Sequence, residues 1–139
     1  MNIPIDRNRP FVERDYPRDP NEYIPHRHFI QRYKEDRRFL NSEIIESAIT
    51  DGDLRDNNDG CACFRLERGK GVAYYLIAGF HKDGYRILIT AWPCVHSRRL
   101  ALKSDMWDEE QLDRIEKFND KTSDDFEVQY SKYNEWLKQ

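Results

Sequence analysis

Three strand-like segments follow one another between residues 61 and 92, separated by short turns. Residues 61–67 alternate between apolar and charged side chains towards their end, as expected for a strand with one buried face. Residues 72–80 are almost continuously apolar, which is typical of a central strand that is covered on both faces. Residues 85–92 form the third segment, and Pro93 is expected to end it. Because the turns RGKG and HKDG both contain glycine, we predict an antiparallel meander.

Two helices are expected before the first of these strands. The first is predicted over residues 25–38, since proline is favourable at the first helical position. The second is predicted from a cap at Asn41 or Ser42 to about Thr50, with Gly52 as its stop. The apolar side chains of the two helices are Phe29, Ile30, Tyr33, Ile44, Ile45, Ala48 and Ile49.

The chain divides into three parts by composition. Residues 1–25 hold five of the six prolines and are expected to form an extended arm. Residues 26–103 hold 14 Lys and Arg against 10 Asp and Glu, whereas residues 104–139 hold 5 against 11. The acidic part is predicted to form a capped helix ending near Asn119, then a strand at 126–130 and a short helix. The predicted fold is therefore α+β: two N-terminal helices on an antiparallel sheet of three to four strands, with a C-terminal helical addition.

Several classes of protein are disfavoured by composition. No apolar run approaches the roughly 20 residues of a membrane span, and the N-terminus lacks the apolar core of a signal peptide, so a cytoplasmic protein is expected. The three cysteines are an odd number, which argues against a disulfide framework. There is no glycine-rich phosphate loop before a helix, and no cofactor is expected.

Candidate functional residues lie on the first helix and the third strand. His28 and Arg32 are four residues apart, so they project from one helical face. Arg86, Leu88 and Thr90 alternate onto one face of the strand. A helix face with His and Arg over a sheet with Arg and Thr has the groups needed to hold and cut an RNA phosphate. An ordinary basic surface is the alternative interpretation.

The order of elements and these residues resemble the RelE-like toxin superfamily. The closest resemblance is to an uncharacterised branch with His-x3-Arg, a second Arg, a capped helix ending in Gly, and strands closing on Thr-x-aromatic. Here the pattern consists of His28, Arg32, Arg37 or Arg38, and the stretches SEIIESAITDG, AYYLIAGF and ILITAW. The resemblance covers residues 26–92. It implies helices packed on one antiparallel sheet and, in many members, metal-independent endoribonuclease activity.

The resemblance also implies roles for individual residues. His28 would act as general acid or base, Arg32 and Arg86 would clamp the phosphate, and Thr90 would donate a hydrogen bond. RNA would be bound by Arg37, Arg38, Lys34 and Tyr33, and the candidates for base stacking are Tyr33, Tyr74, Tyr75, Tyr85 and Trp92. A toxin of this type would have a cognate antitoxin as its protein partner.

Two other functions are open from the sequence. The first is a non-catalytic protein-interaction module of the same fold, with the proline-rich arm or the acidic tail as its contact. The second is a zinc site that uses Cys61, Cys63, Cys94 and His96, because each i,i+2 pair faces one side of a strand. The one-residue spacing differs from the usual zinc knuckle, and buried cysteines are common without any metal.

Overall fold

A computed structural model describes residues 4–121 as an α+β fold. Its helices are α1 (Arg27–Tyr33), α2 (Ser42–Asp51), α3 (Arg98–Lys103) and α4 (Glu109–Lys121). Its strands are β1 (Ile24–Pro25), β2 (Asp53–Asp56), β3 (Cys61–Glu67), β4 (Val72–Phe80) and β5 (Arg86–Val95). Short 3-10 turns lie at Glu13–Asp15, Pro20–Glu22 and Asp36–Arg38.

The five described strands form one mixed sheet in the order β1-β5-β4-β3-β2. The antiparallel meander β3-β4-β5 is as predicted, with β4 at the centre. The expected count of three to four strands was too low. β2 lies in a segment predicted to be a loop, yet it pairs antiparallel with β3, and β1 adds a short parallel pairing to β5. β1 and β2 form because their backbones pair with strands at the edges of the sheet. Neither has the alternating apolar side chains that would predict a strand from the sequence.

β5 continues three residues beyond its predicted end. Pro93 lies inside the strand, opposite Tyr74 of β4. β1 pairs with β5 only at Ile87 and Leu88, so the rest of β5 has no described strand on its outer side. A missing N–H is tolerated at such an edge, which is why proline does not end the strand.

α1 is shorter than predicted, whereas α2 agrees with the prediction. α1 begins after a His26 cap, not at Pro25, and ends at Tyr33. The chain then becomes extended at Glu35 and forms a separate 3-10 turn. α2 begins where the sequence places it, because the Asn41 side chain accepts a hydrogen bond from the Ile44 N–H at 2.8 Å.

Apolar side chains form one core on each face of the sheet, and a third cluster lies beside the first. The first core joins α1, α2 and the arm to the sheet: Tyr16, Tyr23, Phe29, Ile45, Ala48, Ile49, Ala62, Phe64, Leu76, Ala78, Phe80, Leu88 and Ala91. The second core is on the opposite face: Ile5, Cys61, Cys63, Ala73, Tyr75, Ile77, Ile87, Ile89, Trp92 and Cys94. The third cluster joins α3 and α4 to the sheet: Ile44, Val72, Tyr74, Ala101, Trp107, Leu112 and Ile115.

The predicted C-terminal helix is present as α4, with Leu112 and Ile115 buried as expected. α3 was not expected; it begins at Arg98 and is capped by Ser97, whose hydroxyl accepts a hydrogen bond from the Leu100 N–H. The strand predicted at 126–130 and the helix after it lie outside the described residues. None of the helices between residues 4 and 121 has the length and hydrophobicity that a bilayer crossing needs.

Candidate functional site

The start of α1 is fixed by the edge of the sheet. Ile24 and Pro25 pair with Ile87 and Leu88, and the His26 N–H donates a hydrogen bond to the Leu88 carbonyl at 3.0 Å. The His26 side chain then accepts from the His28 N–H at 3.2 Å, which caps the helix. The side chains of α1 are therefore held at a defined position beside β5.

His28 and Arg32 are in contact, as their spacing predicts. Nε of Arg32 donates a long hydrogen bond of 3.4 Å to Nε2 of His28. Burial lowers the pKa of the His28 imidazole below its usual value, and the charges of Arg32 and Arg38 lower it further. At neutral pH His28 is therefore a neutral imidazole that accepts a hydrogen bond from Arg32.

Arg38 connects this pair to the sheet and is fully buried, with 0% of its surface exposed. Its Nε lies 2.9 Å from Oε2 of Glu35, and its Nη1 donates to the Ala91 carbonyl at 2.8 Å. Glu35 also accepts from Nη1 of Arg32 at 3.0 Å. Burial of Glu35 favours a raised pKa, but the hydrogen bonds and charges of Arg38 and Arg32 outweigh it and lower the pKa. Arg38 therefore lies inside the fold and not on a surface where RNA would bind.

Arg86 is bound by the N-terminal arm. Its Nε donates to the Asp15 carbonyl at 2.6 Å, and its Nη1 lies 3.8 Å from Oε2 of Glu22. The guanidinium carbon also lies 5.5 Å from the centroid of the Phe80 ring. These interactions direct Arg86 towards the arm, whereas the hydrogen bonds of His28 are to His26 and Arg32.

Thr90 lies on the face of the sheet opposite α1, because a β-bulge changes the alternation of β5. Leu88 is opposite Ala78, but Thr90 is opposite Ile77, so Ile89 is an extra residue. Ile77 belongs to the second core and Phe29 of α1 belongs to the first. Thr90 is 5% exposed, and its hydroxyl has no hydrogen-bond partner within residues 4–121. The structure brings together His28 and Arg32, but it does not bring Arg86 or Thr90 to them.

The remaining candidates for RNA contact are dispersed. Lys34 is exposed at the end of α1, and Tyr33 is half-buried against Phe29. The side chain of Arg37 is outside the described part of the structure. Among the other candidate stacking aromatics, Tyr74, Tyr75 and Trp92 are buried and Tyr85 is 41% exposed. Tyr85 stacks on His81, with 4.4 Å between the ring centroids.

The four candidate zinc ligands lie along different parts of the sheet. Cys63 is opposite Ile77 of β4, whereas Cys94 is opposite Ala73. These two positions are four residues apart along β4, which is roughly 13 Å at the rise of a strand. Nε2 of His96 lies 2.6 Å from Oε1 of Glu67. Across the described ranges, no group of three His, Cys, Asp or Glu side chains is placed to hold a metal ion.

An apolar groove of about 390 Å³ opens between α1 and α2. Its lining residues are Pro25, Phe29, Ile30, Tyr33, Lys34, Ser42, Ile45, Glu46 and Leu88. Ile30 is 41% exposed on one wall, and the neighbouring Ile24 is 53% exposed. Ile30 is one of the apolar side chains of the first predicted helix, but the sequence does not predict the groove. Phe29 and Ile30 are adjacent, so their side chains project about 100° apart on a helix and do not share one buried face.

Comparisons with known proteins do not supply a function for this groove. No family model, curated protein or solved structure significantly matches the chain. The function is therefore inferred from the geometry of the chain itself.

Proposed function

We propose that this protein is a non-catalytic protein-interaction module whose α1–α2 groove binds an amphipathic segment of another protein. The observation that supports it is the groove itself, whose lining includes the buried Phe29 and the 41% exposed Ile30. Because Ile30 is 41% exposed, covering the rest of its side chain in a complex contributes roughly 1 kcal/mol. An amphipathic helix laid into an apolar groove is a recurring mode of recognition.

The charges beside the groove indicate the chemistry of the partner. Residues 27–34 contain two Arg and one Lys and no Asp or Glu, and Arg27 and Lys34 are exposed. Glu46 of α2 lines the opposite wall. Charge complementarity therefore favours a partner segment with carboxylates beside α1 and cations beside α2, around a central apolar stripe. The partner in this proposal is a protein segment with apolar residues at helical spacing, acidic residues on the flank beside α1 and basic residues on the flank beside α2.

The test is a selection from a displayed library of amphipathic peptides against the purified full chain. We expect enriched peptides to combine apolar residues at i, i+3 and i+4 with Asp or Glu on one flank. The variant Ile30→Glu places a charge in the groove and should weaken binding of a selected peptide at least tenfold, measured by calorimetry. A factor of ten corresponds to about 1.4 kcal/mol.

Gln31→Glu is the matched control, because Gln31 is exposed on the same helix and does not line the groove. It introduces the same charge and should leave the affinity within about twofold. Equal losses in both variants, or no loss in Ile30→Glu, would overturn the proposal. Thermal unfolding of both variants checks that the fold is retained.

The second candidate function is RNA cleavage of the RelE-like type, and the observation that favours it is the contact between His28 and Arg32. A neutral imidazole accepts a 2′-hydroxyl proton once Arg32 transfers its Nε–H from Nε2 of His28 to the phosphate, and the guanidinium fork suits phosphate oxygens. In this proposal the reacting pair is His28 and Arg32 without Arg86 or Thr90.

The test is cleavage of a mixed RNA substrate by the full chain and by His28→Ala. If His28 is the base, the rate should be high at neutral pH and fall only below the usual histidine range, because the pKa of His28 is lowered. His81→Ala is the control, since His81 lies in the β4–β5 turn. Cleavage that is unchanged in His28→Ala, or absent in the wild type, would exclude this function.

A further inference from the structure

Two histidines at the start of α1 stabilise it by accepting hydrogen bonds. Nδ1 of His26 accepts from the His28 N–H at 3.2 Å, and Nε2 of His28 accepts from Nε of Arg32 at 3.4 Å. A backbone N–H and a guanidinium can only donate, so both contacts require the lone pair of a neutral imidazole. His26 therefore carries its ring proton on Nε2 and His28 carries its ring proton on Nδ1. Protonation of either ring removes the acceptor.

The surroundings of His28 disfavour a second ring proton. Burial is the main cause that lowers the pKa of His28, and the described charges that lower it further are Arg32, Arg38 and His26. Glu35 follows α1 directly, but its carboxylate binds Arg32 and Arg38. β5, on which α1 packs, has Arg86 as its one charged residue, and Glu46 of α2 lines the far wall of the groove. Protonated His28 therefore faces other cations.

The other two histidines of the chain have carboxylate partners. Nδ1 of His81 lies 3.4 Å from Oδ2 of Asp83, and Nε2 of His96 lies 2.6 Å from Oε1 of Glu67. A protonated imidazole at these two positions is stabilised by an ion pair. Among residues 4–121, no carboxylate forms an ion pair with either imidazole at the start of α1. Mild acid therefore acts against α1 and not against the sheet turns.

We infer that α1 is a pH-sensitive element, which opens when the imidazoles of His26 and His28 are protonated. The helix then loses its cap at His26, and Arg32 and His28 become neighbouring cations in place of a donor and an acceptor. α1 has only seven residues, so few internal hydrogen bonds remain to hold it. Because α1 forms one wall of the groove, acid should also release the partner segment, and this consequence alone rests on the function proposed above.

The direction of the pH effect follows from the lowered pKa of His28. When α1 is open, His28 takes up a proton near the ordinary histidine pKa of about 6.5. When α1 is folded, His28 takes up the proton only at lower pH. The open form is therefore favoured progressively below about pH 6.5, and the full effect is reached below the lowered pKa. At higher pH both forms are neutral at His28, and this group has no effect on the stability of α1.

Amide hydrogen exchange of the full chain without a peptide tests the inference, and its outcome does not depend on whether the groove binds one. From about pH 7.5 to about pH 5, the protection factors of residues 30–33 should fall at least tenfold relative to those of α2. In His26→Asn/His28→Gln, the amide oxygens accept the same hydrogen bonds without titrating, so protection should stay within about twofold. His81→Gln is the matched control and should show the same fall as the wild type. A constant protection factor in the wild type, or an equal fall in the double variant, would overturn the inference.

A second measurement on the wild-type chain decides the question if the double variant fails to fold. Ring ¹⁵N chemical shifts distinguish the two tautomers of a neutral histidine. We expect the Nε2–H tautomer at His26 and the Nδ1–H tautomer at His28 at neutral pH, because the other ring nitrogen is the acceptor. The titration midpoint of His28 should lie below about 6.5. The opposite tautomer at either ring, or a His28 midpoint at or above that value, would contradict the inference.

Discussion

At the scale of single residues, Arg38 shows how environment decides the role of a side chain. The resemblance to RelE-like proteins implies an RNA contact for Arg38. The structure instead buries it between Glu35 and the Ala91 carbonyl. A buried guanidinium is tolerated because both a carboxylate and a carbonyl oxygen accept its hydrogens. The backbone turn after α1, which sequence periodicity does not reveal, brings these groups together.

Arg38→Ala should lower the free energy of unfolding by about 3 kcal/mol, because it removes the fully buried member of the ion pair with the partly exposed Glu35 and the hydrogen bond to β5. Arg27→Ala is the control, since Arg27 is an exposed arginine at the start of α1, and it should change stability by no more than about 0.5 kcal/mol. Urea unfolding followed by circular dichroism measures both. Equal changes in the two variants would contradict the structural role of Arg38.

At the scale of elements, side-chain periodicity predicted the long elements, and backbone geometry determined the rest. β3, β4, α2 and α4 have clear apolar patterns and were found from the sequence. β2 has mostly polar residues and forms because its backbone pairs antiparallel with the edge strand β3. Among the candidate site residues, the contact between His28 and Arg32 was predictable, because it follows from helical spacing. The face of Thr90 did not, because one extra residue at Ile89 reverses the alternation of β5.

The Asn41 cap offers a test of an element that the sequence did predict. Asn41→Ala removes the 2.8 Å hydrogen bond to the Ile44 N–H and should destabilise the protein by about 1 kcal/mol. Asn41→Ser should retain most of the stability, because serine also caps helices well. Thermal unfolding compares the three proteins. An alanine variant as stable as the wild type would show that the cap does not contribute to the stability of α2.

At the scale of the whole molecule, the N-terminal arm is part of both cores. Tyr16 and Tyr23 enter the first core and Ile5 enters the second. The arm also holds Arg86 through the Asp15 carbonyl. As a result, the edge of the sheet near α1 is occupied by the arm. The groove between α1 and α2 remains the open apolar surface next to the basic residues of α1.

The most direct test of the proposed interaction is to map a selected peptide onto the full chain by amide chemical-shift changes. We expect the largest changes at Ile30, Ser42, Ile45 and Glu46, which line the groove. These changes should disappear in Ile30→Glu and persist in Gln31→Glu. Changes centred on the β4–β5 turn or on the N-terminal arm, with the groove unaffected, would contradict binding at the groove.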